Sequence, residues 1–549
     1  MPSRNPKDFI TQAEIAIDSG WRNLPIFKSD RPTALLKLIT ASDDRIRIFA
    51  LAGSPLPVLF SSAIRFGQDS INFGIPWIFS SCLQTNNNIP STLTELDILE
   101  GIALAEYSEA YDSARIAFTN YHQGRYTVFV AAKDRRITFT HASPEVDSAE
   151  RERKAYEMYE LDLEAEVASA SNTKTTLSLK RMVDAKAVRG VGDRVELTFD
   201  NELVEALRAA MDGISKMYET HIDDFQLFAG FEYGKIRRVH AAIVALSYAH
   251  FFLHLSPAVS GIVGGAVSSL SFRSSTSMLN DHVAQISGLA IHDAEAISKL
   301  LTFDGSVPNM PSICQPLIRA NDTELLIPAA YALGSRFERN FLKLLARHPQ
   351  TKKEYDAFSS QKENIALPRL VQMLHKAKIF VKDRVHITTN GRLVGDIDIV
   401  AYDPREKYML AIQHKWLIEP DSVNESKTCD AELVRAIEQA RLAKAHLMDR
   451  GFAMRAIPEI PSTGEISVEA LVISKGSEST GFVSTTDVPI VTEKWFIENI
   501  RSTQNLAAVH KLAISRPDRA EFASKWAPSK VSSKLAGYEI RIPGFSKTV

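Results

Sequence analysis

The residues of this chain best suited to catalysis fall in two neighbouring runs, GDIDIVAYD at 395–403 and AIQHKW at 411–416. Strands bound for a buried sheet carry carboxylates, amides and ammonium groups only at a cost, unless something compensates them. Side chains alternate across a strand with period two. Asp396 and Asp398 then point one way, with Ile397 and Ile399 opposite. On the second run Gln413 and Lys415 share a face, and Ile412, His414 and Trp416 share the other. When the two runs align, a carboxylate, an amide oxygen and an ammonium meet on one patch. A divalent cation offsets the cost of burying the carboxylate, and Mg²⁺ takes carboxylate, carbonyl and water oxygens. The ammonium can then hold a water or stabilise negative charge on a phosphate. The plainer account is a cross-strand ion pair between Asp398 and Lys415.

Several elements must position these groups. Upstream, IPAAYALGSRFERNFLKLLARH reads as one helix with Leu333, Phe337, Phe341, Leu344 and Leu345 as its apolar stripe and Glu338 at the stripe's edge. A second helical segment follows near 364–378. Asn390-Gly391 is a strong signal for a two-residue hairpin, and DPREK supplies the next turn, so a three-strand meander follows. CDAELVRAIEQARLAKAHL is an amphipathic helix, and ISVEALVISKG and VPIVTEKWFIENI add two strands and a closing helix.

This succession over residues 325–505 resembles the PD-(D/E)XK nuclease superfamily. The resemblance implies a restriction-endonuclease-like αβββαβ domain and a metal-dependent nuclease. Glu338 stands where the family has an acidic residue on its first helix. Asp398 matches the aspartate of the G-x-x-D-hydrophobic strand, and Gln413-His414-Lys415 matches (D/E)-x-K. The implied catalytic set is Asp398, Gln413, Lys415 and Glu338. Asp398, Gln413 and Glu338, with the backbone carbonyl of His414, would bind Mg²⁺, for which Mn²⁺ can substitute. Asp396 and Gln439 are supporting candidates, Gln439 because relatives often carry a polar site residue on that helix. Gln413 departs from the usual carboxylate. Mrr-like restriction endonucleases carry Q-x-K, yet glutamine removes one negative charge and weakens the metal site. The alternative is therefore a binding-only or complex-forming scaffold on the nuclease fold.

The remainder of the 549 residues is less explicit. Hydrophobic content of 45% and charged content of 24% are those of a globular multidomain protein. The expected fold class is multidomain α/β: an α/β or α+β region at 1–145, a mainly helical region at 146–320, the nuclease-like domain at 321–505 and a basic extension at 506–549. Residues 502–549 carry eight basic and three acidic side chains, which suits a polyanion or a solvated tail equally. Three distant cysteines imply a reduced, cytoplasmic protein without a zinc site. The 34 uncharged positions from Val239 to Phe272 contain three histidines, Pro257 and six serines. They read as a buried helix, a Gly/Ser-rich turn and a second helix rather than a membrane span. His250 and His254 share one helix face and read as packing residues. GIVGGA at 261–266 lacks the order of a nucleotide loop. The charged run from Ser143 to Ala170 reads as a solvated helix. The expected partner is nucleic acid, DNA in preference, in restriction or anti-phage defence. A protein partner or second copy would bind through the N-terminal regions, and no membrane is involved.

Overall fold

A computed structural model describes residues 6–51, 57–85, 88–152, 175, 177–189, 195–216, 218, 223, 226–228, 231–256, 271–334, 336–349, 351–359, 361–389, 391–420, 422–476, 480, 483, 487–517, 519 and 524–547. The GIVGGA segment, the proposed helix after Pro257, most of the 143–170 helix and Asn390 of the hairpin turn lie outside them.

The chain opens with five helices, α1 (Pro6–Gly20), α2 (Arg31–Leu51), α3 (Pro57–Asn72), α4 (Gly74–Ser81) and α5 (Glu95–His122), then a hairpin, β1 (Tyr126–Ala131) and β2 (Arg136–His141). Thr94 and Asp97 close a capping box at the start of α5. A short hairpin, β3 (Ala187–Arg189) and β4 (Val195–Leu197), precedes α6 (Asn201–Ser215), and the pair β5 (Gln226–Phe228) and β6 (Phe231–Glu232) precedes α7 (Tyr233–Leu255). Then come β7 (Phe272–Ser275), α8 (Thr276–Ser287), α9 (Ile291–Leu300), β8 (Thr302–Phe303), β9 (Leu317–Arg319), β10 (Glu324–Ile327), α10 (Ala329–Leu333) and α11 (Phe337–Arg347). The expected single helix at 327–348 is thus two, α10 and α11. One large core joins Leu35, Ile75, Leu207, Ile243, Leu326 and Phe341. Among the described residues this core draws on both sides of residues 145 and 321, and α11, with Glu338, belongs to it.

Packing private to the C-terminal unit begins at Leu367. Here α12 (Lys352–Ser359) and α13 (Lys362–Lys376) lead into β11 (Phe380–Thr389), β12 (Arg392–Asp403) and β13 (Tyr408–Trp416), followed by α14 (Val423–Leu447), α15 (Arg450–Ala456), β14 (Ser467–Lys475), β15 (Ile490–Thr492), α16 (Glu493–Thr503) and α17 (Leu506–Ser515). The sheet order is β11-β12-β13-β14-β15, antiparallel through β13 and parallel from β13 to β15. The parallel step β13–α14–β14 needs the helical crossover that α14 supplies. One face packs Ile399, Ala401, Ile412 and Ile473 against α13, α16 and α17. The other packs Ile397, Val400, Ala411 and Val472 against α14 and α15. The unit is three layers, helices on both sides of a mixed sheet.

The described part of the expected basic extension is folded into the molecule. α17 completes the helical layer, and β16 (Trp526–Leu535) and β17 (Tyr538–Lys547) return to the N-terminal hairpin in the order β1-β2-β17-β16. Leu535, Tyr538 and Ile540 are buried there with Ile137, Phe139 and Ile17. Apolar alternation in β17 accounts for this, with Glu539 and Arg541 on the strand's other face. No helix among the described residues is long and apolar enough to cross a membrane.

Candidate functional site

Two strands part company at the candidate site. The last rung between β12 and β13 is Ile399 opposite Ile412. Beyond it the fork is closed by side chains: Asp398 Oδ2 accepts the His414 backbone N–H at 2.7 Å, and Gln413 Nε2 donates to the Asp396 carbonyl at 2.8 Å. Both Asp398 and Gln413 are buried. A residue's N–H and C=O lie on the same edge of a strand, so the His414 carbonyl also faces the fork.

The sequence expectation for β12 needs correcting. Ile397 and Ile399 do not share a face: Ile397 packs with the α14 layer and Ile399 with the α16 layer. β11 changes faces at the same level, with Val381 on the α16 side and Val385 on the α14 side. Between these, Arg384 has φ of 52°, a left-handed conformation, and the Arg384–Asp398 rung is missing between the Asp383–Ile399 and Val385–Ile397 rungs. The kink carries the far half of the hairpin over α14, bringing Gly395 against Leu442. It also separates the two aspartates. Asp398 is 5% exposed, whereas Asp396 is exposed and contributes its backbone carbonyl.

β13 keeps its alternation. Met409 and Ala411 face α14, and Leu410 and Ile412 face α16; Gln413 and Lys415 continue the first series. Lys415 is half-buried and has an interaction partner. In register beside it on β14 is Ser474, fully buried, with a hydroxyl lacking any hydrogen-bond partner among the described residues. Glu338 reaches the same end of the sheet from α11. Its Oε1 lies 3.2 Å from Lys475 Nζ, which sits 3.7 Å from the centre of the Trp416 ring, on the His414 face of the sheet and opposite Lys415. Ion pairs tie α11 to the segment after β13: Arg336 with Glu419, and Lys343 with Glu425 at 3.1 Å. Gly476, at φ of 95°, ends β14 where a Cβ would lie 2.1 Å from the Leu417 carbonyl, so only glycine lets the two strand ends meet.

On the opposite face, His414 Nε2 lies 3.5 Å from Glu493 Oε2 at the start of α16, and Arg369 approaches Glu493 at the same distance, 3.5 Å. Burial acts to raise the Glu493 carboxyl, but His414, Lys475 and Arg369 together hold it below its ordinary value. A depressed carboxyl stabilises the fold above its unfolded pKa and ceases to do so as pH falls through its folded pKa. Glu493→Gln is therefore expected to flatten the loss of thermal stability on acidification below about pH 4.5, read from melting temperatures across that range.

Sequence reasoning overlooked Glu493, Lys475 and Ser474. The parity of ISVEALVISKG would have placed Ser474 beside Lys415 once parallel pairing was known. Gln439 is exposed, off the buried stripe of α14 formed by Leu433, Ile437 and Ala440. The polar residue of α14 that is buried is Asp430, which accepts from Thr480 N at 2.9 Å and from Arg125 at 3.2 Å. His250 and His254 lie side by side, with ring nitrogens 3.1 Å apart, in a small cavity shared with Asp43 and Arg47. Burial lowers His250 to about 4, as neutral packing histidines require.

Among the described residues no three His, Cys, Asp or Glu side chains are arranged to hold a metal. The fork offers a different donor set: one carboxylate, the His414 carbonyl and the Gln413 amide oxygen, opposite the nitrogen given to Asp396. Mg²⁺ commonly takes one or two carboxylates and completes its shell with water and phosphate oxygens. The fork suits that mode rather than a preformed cage. Removing the carboxylate has a separate structural effect. Asp398→Ala leaves the buried His414 N–H unpaired and is expected to cost about 1–3 kcal/mol. Asp398→Asn keeps an acceptor and is expected to cost less, both measured by denaturant unfolding.

The chain matches no protein-family model, no curated protein and no solved structure.

Proposed function

We propose that this protein is a metal-dependent nuclease of PD-(D/E)XK type, cutting phosphodiester bonds of nucleic acid, DNA in preference, at the fork between β12 and β13. One observation carries the proposal: a buried aspartate bonded to the backbone of the Gln-His-Lys strand at the point where two paired strands separate. The succession α13-β11-β12-β13-α14-β14 supports it, because that is the arrangement which the resemblance implies. Asp398, the His414 carbonyl and Gln413 would hold Mg²⁺ or Mn²⁺. When bound, the ion supplies Lewis-acid stabilisation of a phosphate oxygen. The His414 N–H fixes the Asp398 carboxylate in the fork. Lys415 orients the attacking water and stabilises charge developing on the scissile phosphate. Glu338 is held by Lys475 on the His414 face of the sheet and would support the site only on release from that pair. A defence role for such a nuclease, with its large N-terminal region selecting substrate or partner, is part of the proposal.

The test incubates purified protein with plasmid, linear DNA and RNA in Mg²⁺, Mn²⁺ or EDTA. Metal-dependent cutting that disappears in Asp398→Asn supports the assignment; cutting that survives that change overturns it. Gln413→Glu gives up the donor to the Asp396 carbonyl but adds a charge at the fork, and is expected to lower the Mg²⁺ concentration for half-maximal cutting by about tenfold, equivalent to ~1.4 kcal/mol of net added metal affinity. The second reading, a binding-only scaffold, is favoured by the single carboxylate at the fork and by the Glu338–Lys475 pair. Salt-sensitive binding with no cutting under any metal would select it.

A further inference from the structure

The sheet β1-β2-β17-β16 is covered on one side only. Val128, Ile137, Phe139, Tyr538 and Ile540 pack with α1 and α5. The register defines the opposite face. Phe129 opposes Thr138, Thr138 lies beside Arg541, and Arg541 opposes Ser532, one row across four strands. In the next row Arg136 lies beside Glu539, and Glu539 opposes Lys534. On the other flank Thr127 and Thr140 share a rung, with hydroxyls 2.7 Å apart.

Two features of this face ask for a partner. Phe129 is 69% exposed in mid-strand, surrounded by threonines rather than by other apolar side chains. The charge is also one-sided. Arg136, Arg541, Lys530 and Lys534 lie on this face; Glu539 is shared by the two guanidiniums at 3.4 and 2.7 Å, and Asp134 pairs with Arg136 from the adjoining turn. Both lysines are exposed. An aromatic platform among cations matches a chain of phosphates with unstacked bases. A duplex hides its base faces and would leave Phe129 unused.

We infer that this sheet face binds a single-stranded segment of nucleic acid, with a base stacked on Phe129 and the backbone running past Arg541, Lys534 and Lys530. The choice of polymer rests on the nuclease proposal, whereas the exposed aromatic and the surplus of cations do not. The face is also joined to the fork. Gln123 donates to Asn424 at 2.9 Å and Arg125 bonds Asp430, so β1 begins against the first turns of α14, the helix that follows the Gln413–Lys415 strand.

The test titrates the full-length protein into a fluorescently labelled single-stranded oligonucleotide, or its duplex, in EDTA, and reads anisotropy. Tighter binding of the single strand is expected, with Phe129→Ala weakening it by about tenfold, the effect of losing one stacked base. Paired Lys530→Ala and Lys534→Ala changes are expected to reduce the dependence on salt concentration. Phe129 is exposed, so circular dichroism and melting of Phe129→Ala are expected to match the parent. Equal affinity of Phe129→Ala and parent, or preference for the duplex, overturns the inference. Binding is measured without metal, so its failure is separate from failure of cutting: loss of cleavage in Asp398→Asn with unchanged binding by Phe129→Ala keeps the nuclease and removes this face.

Discussion

Lys415→Ala is expected to lower metal-dependent cleavage by about 10²- to 10³-fold, the usual cost of removing one preorganised donor from developing charge. Binding of oligonucleotide in EDTA should change little, because a single phosphate contact is a small part of a polyelectrolyte interface. The reason for so large a kinetic effect is position. Lys415 lies one residue beyond His414, whose backbone N–H holds Asp398 at 2.7 Å, and it is in register with the buried Ser474 of β14. In the proposed nuclease an ammonium held at that point would act on the bond being broken and little on the rest of the substrate. The measurement compares single-turnover cleavage rates and EDTA affinities of parent and variant. Equal cleavage rates would assign any cutting to another site or a contaminant. Parallel loss of rate and affinity would point to a binding role.

The second large effect concerns stability. Removing residues 524–549 takes β16 and β17 from the N-terminal sheet and strips Leu535, Tyr538 and Ile540 from a core that includes Ile137 and Phe139. Each large apolar side chain contributes about 1.5–3 kcal/mol on burial. The loss is therefore expected to exceed about 5 kcal/mol, much of the net stability of an ordinary domain. The truncated protein should show an early unfolding transition and rapid proteolysis between α1 and β2, while the sheet β11–β15, which makes no strand pairing with this hairpin, keeps its protection. Hydrogen exchange resolves the two. Unchanged protection at Ile137 and Phe139 would mean that β1 and β2 fold without the chain's end.

Local signals in the sequence were sufficient for the elements around the site. The Asn390-Gly391 dipeptide, the DPREK turn and period-two apolar runs are encoded within a few residues, and the meander, the crossover helix and β14 follow them. The types of the fork residues were legible for the same reason, since Asp398, Gln413 and Lys415 are conspicuous in apolar strands. Only the tertiary structure decided how they meet. The exchange of faces at Arg384 and Asp398 has no local periodic signal: it arises where the hairpin bends over α14, so Asp396 and Asp398 separate although they are two residues apart. Glu338 lies on a helix whose apolar stripe was readable, but the core it joins is built from residues far upstream, and its ion pair with Lys475 spans 137 positions. The return of β17 to β2 joins residues about four hundred positions apart, where neither strand alone carries information about the other. Short-range patterning thus specified strands, turns and candidate chemistry, while partners, faces and unit boundaries came from contacts that only the folded chain makes.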